Sequence, residues 1–402
     1  MARLTSIGLE LNSLTANVEV TSTSVAGGGA VAIDATIKRS GLYSFHSSNA
    51  GANGRAIFNY NFVAADTSNK HFFRMYMYVV DLPSAVATIL NVEALAGTDR
   101  GKIRITTSGT LFLENAIGTQ IGSASAALNL NQWYRVEMMI FNNTTSGKTE
   151  LEFQLGGTSI ASTTTDANTG TYGNVAIGIT SSVTSYDIYF DDIAINDTSG
   201  SNQTSWCGEG KIIRLTPNAA GDANSRLNTA GGAGDANNYT LCDEETPNDA
   251  TDYTQTNLLN SEDLFNCAAS GIGASDTVNV VHIGGRFANN TADAVTSFRF
   301  EVIKTSGGTK SQSASIIPNS TTWKTNAIAA PINYPLTLYA DPDSSAWTQA
   351  TLDTAQIGMI DSAINVNKIL VSTVWMLVDY TVVAAASGVN RVGLLTMVGV
   401  GN

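Results

Sequence analysis

The sequence predicts an all-β protein, built as two antiparallel β-sandwich domains joined by a long irregular segment. Three observations lead there. Apolar residues alternate with a period of two in one run after another, while no stretch of comparable length in the first half carries a 3.6-residue repeat. The composition suits strands and turns: 43% of residues are hydrophobic and only 14% charged, with Gly, Ser, Thr, Asn and Ala filling the difference. The alternation also breaks off near residue 205 and resumes after Asp276, as expected of two units in a chain of 402 residues.

Residues 1–34 read as an N-terminal arm, whose Leu4, Ile7, Leu9 and Leu11 have no evident home. The first sandwich spans 35–205. In "HFFRMYMYVVDLP", Phe73, Met75, Met77 and Val79 fall on one face, Arg74, Tyr76 and Tyr78 on the other, and Pro83 ends the run. "GKIRITTSGTLFLEN" reads as a hairpin turning at Ser108-Gly109. "NQWYRVEMMIF" places Tyr134, Val136, Met138 and Ile140 on one side. "TELEFQLGG" buries Leu151, Phe153 and Leu155 and turns Glu150, Glu152 and Gln154 outward.

From 206 to 256 the chain shifts to "NAAGDANSRLNTAGGAGDANNY" and "DEETPNDATDYTQT", which predict an irregular linker. A second sandwich follows over 257–385. There Phe298, Phe300 and Val302 alternate with Arg299 and Glu301, and "KILVSTVWMLVDYTVV" is apolar on both faces, as in a central strand covered on both sides. The tail 386–402 offers Leu394, Leu395, Met397 and Val398 to its own domain or to a partner.

Charge and cysteine usage narrow the function. With 34 acidic and 21 basic residues, the formal net charge of −13 repels phosphate, so neither nucleic acid nor an anionic membrane is expected as a partner. No run of about 18 apolar residues is present, and "MARLTSIGLELNS" lacks the apolar core of a signal peptide, so synthesis in a cytosol without a cleaved signal is expected. Cys207, Cys242 and Cys267 are odd in number and widely spaced, which predicts free thiols rather than a disulfide scaffold or zinc site.

No catalytic or cofactor motif emerges. Paired-carboxylate glucanase strands read E-x-D-x-x-E or E-x-D-x-E. The nearest stretch here, "ELEFQ", has Glu152 in its middle and the amide Gln154 at its end, and reads instead as the polar face of a strand. His46, His71 and His282 are too scattered for a zinc site or a triad.

"YDIYFDDIAIND" places Asp191 and Asp192 side by side within an apolar strand, which predicts a bulge or a satisfied inward aspartate. Asp187, Asn196 and Asp197 could complete a calcium site, but backbone N–H groups of an adjacent loop would satisfy the pair equally well. Catalytic and metal residues are therefore set at none, cofactors at none, and ligand-binding residues are left unassigned. Among the tryptophans, Trp133 and Trp375 lie within strand patterns and are expected in the core. Trp206 and Trp347, in loops, are better placed to stack on a ligand, though a loop tryptophan is as often a plug at a domain interface.

Taken in order, "RSGLYSFHSS", "GTLFLEN", "NQWYRVEMMIF", "TELEFQLGG" and "YFDDIAIND" resemble the strands of concanavalin A-like, laminin-G-like jelly rolls. The continuation through "TSWCGEGKIIRLTPNAAGDAN", "NYTLCDEETPNDATDYT" and "DSSAWTQATLDTAQIGM" is similar to structural proteins of tailed bacteriophages, with Cys207 where their pattern has a proline-containing turn. The resemblance covers about residues 35–382. It implies jelly-roll-like sandwiches in a non-enzymatic virion structural protein: a capsid decoration, fibre or tail-associated component at the virion surface. Its expected partners are other virion proteins and further copies of itself, as a trimer. The alternative it leaves open is a receptor-binding adhesin whose jelly roll recognises host-surface glycans.

Overall fold

The computed structural model describes residues 3–66, 69–167, 170–325 and 334–383. All strand pairings are antiparallel among these residues, and the regular helix comprises one 3-10 turn and the short α1 (Gln349–Thr354). The first unit contains β1 (Arg3–Ile7), β2 (Ser22–Ala26), β3 (Gly29–Asp34), β4 (Ser44–Asp66), β5 (His71–Asp81), β6 (Ala87–Glu93) and β7 (Asp99–Ile105). It continues through β8 (Leu111–Asn115), β9 (Gln120–Ile121), β10 (Trp133–Asn143), β11 (Lys148–Leu155), β12 (Thr158–Asp166) and β13 (Tyr172–Asp197).

The long strands β4 and β13 serve both layers. Through residues 185–197 of β13 the front sheet runs β12-β11-β10-β5-β13-β4-β3. Through residues 172–183 the back sheet runs β2-β4-β13-β6-β7-β8-β9. Phe45, Phe58, Phe73, Met75, Met77, Met138 and Phe153 fill the space between them. The alternation read from sequence places these side chains correctly. Leu151 and Phe153 point inward, while Glu150, Glu152 and Gln154 face out.

Residues 3–34 do not form an arm. β1 pairs with β13 beyond Phe190, where β4 has ended, while β2 and β3 flank β4. Ile7, Leu9 and Leu11 are buried in the core and Leu4 packs against it, so their home is their own chain.

The stretch expected to be an irregular linker also contains strands: β14 (Lys211–Leu215), β15 (Pro217–Asn224) and β16 (Thr254–Thr256). β15 reads "PNAAGDAN" and carries no apolar alternation, because backbone pairing with β17 (Glu262–Cys267) holds it rather than side-chain burial. A Cβ at Gly221 would lie 2.5 Å from Gln356 Oε1 and 2.6 Å from the Leu264 carbonyl, so only glycine permits that approach.

The second unit adds β18 (Thr277–Asn289), β19 (Ser297–Ile303), β20 (Lys310–Gln312), β21 (Leu336–Leu338), β22 (Gln356–Ala363) and β23 (Ile369–Thr381). One sheet runs β14-β23-β18-β21, with β16 also on β23; the other runs β15-β17-β22-β19-β20. Phe265, Phe298, Phe300 and Met359 pack between them. β23 is covered on both faces, as its sequence predicts. Val374, Met376 and Val378 enter this core, whereas Trp375 and Leu377 join the core of the first unit. The tail 386–402 lies outside the described residues.

Candidate functional site

Asp191 and Asp192 mark a β-bulge. Asp191 is in register with Tyr76, pairing resumes only at Ala194–Arg74, and Asp192 adopts a φ of +49°. Asp191 accepts backbone N–H bonds from Arg39 (2.7 Å), Ser40 (3.3 Å) and Asp192 (2.6 Å). Asp192 accepts from Arg39 Nη1 (2.6 Å), Ser40 Oγ (2.5 Å) and the Ile212 N–H (2.7 Å). Burial pushes both carboxyls up, and the charge of Asp192 raises Asp191 further, while Arg39 pulls Asp192 back. The pair pins the loop at 39–40 and strand β14 to β13. The other oxygens considered for calcium are engaged separately: Asp187 with His46, Asn196 with Arg3, Asp197 with Ser199.

Beside the bulge, Asp379 of β23 is buried between Arg3 and Arg74 of the first unit. Burial alone would raise its carboxyl, but the two guanidiniums win and hold it near 2. This charged seam joins the units. The three cysteines are free and buried, and burial holds Cys207 up at about 11 and Cys267 at about 12, far from a reactive thiolate.

The outer face of the front sheet presents a different arrangement. Strands β4, β13, β5 and β10 bring His46, Tyr189, Tyr78 and Trp133 into one cross-strand register. His46 stacks on Tyr189 (4.2 Å, 3°), Tyr189 meets Tyr78 edge-on (6.3 Å, 86°), and Tyr78 meets Trp133 at a tilt (5.3 Å, 50°). Strands lie about 4.8 Å apart, so four abreast carry the row over roughly 14 Å.

Tyr189 is held between its neighbours, while His46, Tyr78 and Trp133 remain half-buried. Asp187 lies 2.7 Å from His46 Nε2 at the edge of the row. The hydroxyls of Tyr78 and Tyr189 and the indole N–H of Trp133 bond no described residue, and none is sealed from solvent. Burial, then Asp187, pushes the Tyr189 phenol up to about 12, so at neutral pH it is a donor. Chemically the row offers ring surface together with unengaged donors and an acidic acceptor.

This reverses the expected roles of the tryptophans. Trp133, expected in the core, is on the outer face, because its neighbour Tyr134 takes the inward position opposite Met77. Trp347, expected to stack on a ligand, is buried in the second core, and Trp206 packs edge-on against Phe72 beside Cys207. Trp375 is in the core as predicted. Glu150 pairs with Lys70 (2.9 Å) and Asn143 (3.1 Å), and Glu152 accepts from Gln154 (3.0 Å), consistent with the polar face of a strand.

A concavity of about 200 Å³ lies at the junction of the units, between residues 11–17, β14, the loop at 244–247 and β23. Trp375 lines it, and the buried Arg214 Nε and Glu244 Oε2 beside it have no hydrogen-bond partner among the described residues.

No family model matches the chain, and no curated protein matches it. Solved structures align with about half of it. The endo-β-1,4-glucuronan lyase of the fungus Trichoderma reesei aligns over 45% of this chain and 95% of its own, at 12% identity and a TM-score of 0.37. A galectin-like protein of unknown function from Bacillus subtilis aligns over 49% and 96%, at 12% identity and 0.33. A carbohydrate esterase of the Shiga toxin-encoding bacteriophage phi24B aligns over 48% and 97%, at 13% identity and 0.35.

The fold is, by its own strand pairings, all-β, with antiparallel sheets packed as sandwiches. The expectation that the chain is not an enzyme is corrected: the solved structures that align with it include lyases, sialidases and an esterase. No activity passes from them to this chain.

Proposed function

We propose that this chain recognises glycans, binding an oligosaccharide along Trp133, Tyr78, Tyr189 and His46. The shared register of these four residues carries the reading, because it sets four ring-bearing side chains abreast on one strip of a sheet. The apolar faces of sugar rings stack on tyrosine and tryptophan, and their hydroxyls need donors and acceptors at the ring edge. Tyr78 and Trp133 provide the ring surface. The Tyr189 hydroxyl and the His46–Asp187 pair provide the polar edge.

The resemblance of the continuation, from "TSWCGEGKIIRLTPNAAGDAN" to "DSSAWTQATLDTAQIGM", to tailed-phage structural proteins suggests the setting, an exposed protein of the virion that assembles with copies of itself. In that setting the chain acts as a receptor-binding adhesin for host-surface glycans.

Binding to an immobilised glycan panel tests the reading, comparing the native chain with Trp133→Ala and Tyr78→Ala. Each truncation removes a stacking contact worth about 0.5–1.5 kcal/mol. The double variant is expected to lose roughly tenfold or more in affinity while keeping its melting temperature. Unchanged binding by the double variant would contradict the assignment.

A further inference from the structure

We infer that the aromatic row selects neutral and N-acetylated glycans over those bearing uronate or sulfate groups. The inference rests on the proposed glycan site and names its ligand class.

The rim of the row is acidic. Asp187 precedes Tyr189 by two residues on the same face, and Asp81 of β5 stands opposite Asp187 in register. The charge of Asp34, at the end of β3, also reaches the Tyr189 phenol. Three carboxylates therefore surround a platform whose one titratable base is His46, itself paired with Asp187.

The guanidiniums of this face are already committed. Arg135, next to the row on β10, is largely buried, with Glu137 2.9 Å and Glu209 2.6 Å from its guanidinium. Arg39 lies over the Tyr76 ring, 3.3 Å from its centroid, and pairs with Asp192. Arg74 is buried against Asp379. None offers the free bidentate fork that recognition of a carboxylate or sulfate calls for.

An anionic sugar on the row would lie beside Asp187 and Asp81 and be repelled. Carboxylate acceptors instead suit the hydroxyl and amide N–H donors of neutral and N-acetylated sugars. The partly exposed position keeps this selectivity sensitive to salt.

The test is a panel of neutral, N-acetylated, uronic and sulfated oligosaccharides of matched length, read at 50 and 500 mM salt. It compares the native chain, Trp133→Ala and the triple variant Asp34→Asn, Asp81→Asn, Asp187→Asn. Neutral or N-acetylated ligands should bind at least tenfold more tightly than anionic ones at low salt. High salt and the triple variant should each narrow that gap to about threefold or less. Anionic ligands binding the native chain as well as neutral ones, or a gap unmoved by both salt and the triple variant, would overturn the inference. If selectivity fails while Trp133→Ala still weakens binding, only the ligand class falls. If Trp133→Ala binds every ligand as the native chain does, or nothing on the panel binds the native chain, the glycan site itself falls.

Discussion

Asp379 shows how a single carboxylate can hold two units together. It neutralises Arg3 and Arg74, all three side chains being fully buried, and removing it would leave two guanidiniums without a counter-charge. Asp379→Ala is expected to cost about 3–5 kcal/mol of stability, the penalty for breaking a buried ionic cluster from one side. Because its folded carboxyl is held near 2, below the ordinary 3.8, its contribution is fully present above about pH 4 and is lost as pH falls toward 2. Chemical denaturation of the variant and of the native chain between pH 2 and 5 checks both statements.

The neighbouring Asp191 and Asp192 were legible in the sequence as a bulge or a satisfied pair, because adjacent carboxylates break the parity of a strand. Their partners Arg39 and Ile212 were not, since those contacts join residues more than a hundred and about twenty positions away, respectively.

At the scale of elements, period-two patterning located the strands that bury side chains and missed those held by backbone pairing. The inward faces of β10 and β11 were readable, from Tyr134 to Ile140 and from Leu151 to Leu155, although Trp133 at the start of β10 was not. β15 was not, because its Asn, Ala and Gly bury little and its hydrogen bonds to β17 leave no mark in hydropathy. Gly221→Val tests that account: the added side chain meets Gln356 and the Leu264 carbonyl, and a loss of about 1–3 kcal/mol is expected in thermal or chemical unfolding. The aromatic row was missed for a related reason. The parity that sets Tyr134 inward already sends Trp133 outward, but the alignment of Trp133 with Tyr78, Tyr189 and His46 depends on the register of four strands distant in sequence.

For the whole molecule, the burial of carboxylates sets the pH at which it is most stable. Burial lifts Glu19 from the ordinary 4.5 to about 7, and lifts Asp263 and Asp361 from 3.8 to about 6. An acid whose folded value is raised binds its proton more tightly when folded, so stability declines as pH climbs from the unfolded value to the folded one. Melting temperature should therefore fall between about pH 5 and pH 8, and a melting temperature that rises across that window would contradict the burial of these groups. The molecule's net charge of −13 acts in the same direction, by adding self-repulsion as acids ionise.

The N-terminal apolar residues, which the sequence leaves without an evident home, pack within the chain itself. The case for a homo-oligomer accordingly passes to the tail and to the virion resemblance. The case for glycan recognition stands on the aromatic row alone. Its most direct test is a titration of the indole-¹⁵N-labelled chain with a neutral oligosaccharide, following the five tryptophan N–H signals by NMR. The Trp133 signal should move in a saturable manner while those of the buried Trp375 and Trp347 stay in place. A titration in which Trp133 does not move, or in which only Trp375 at the junction cavity responds, would contradict the assignment of the row.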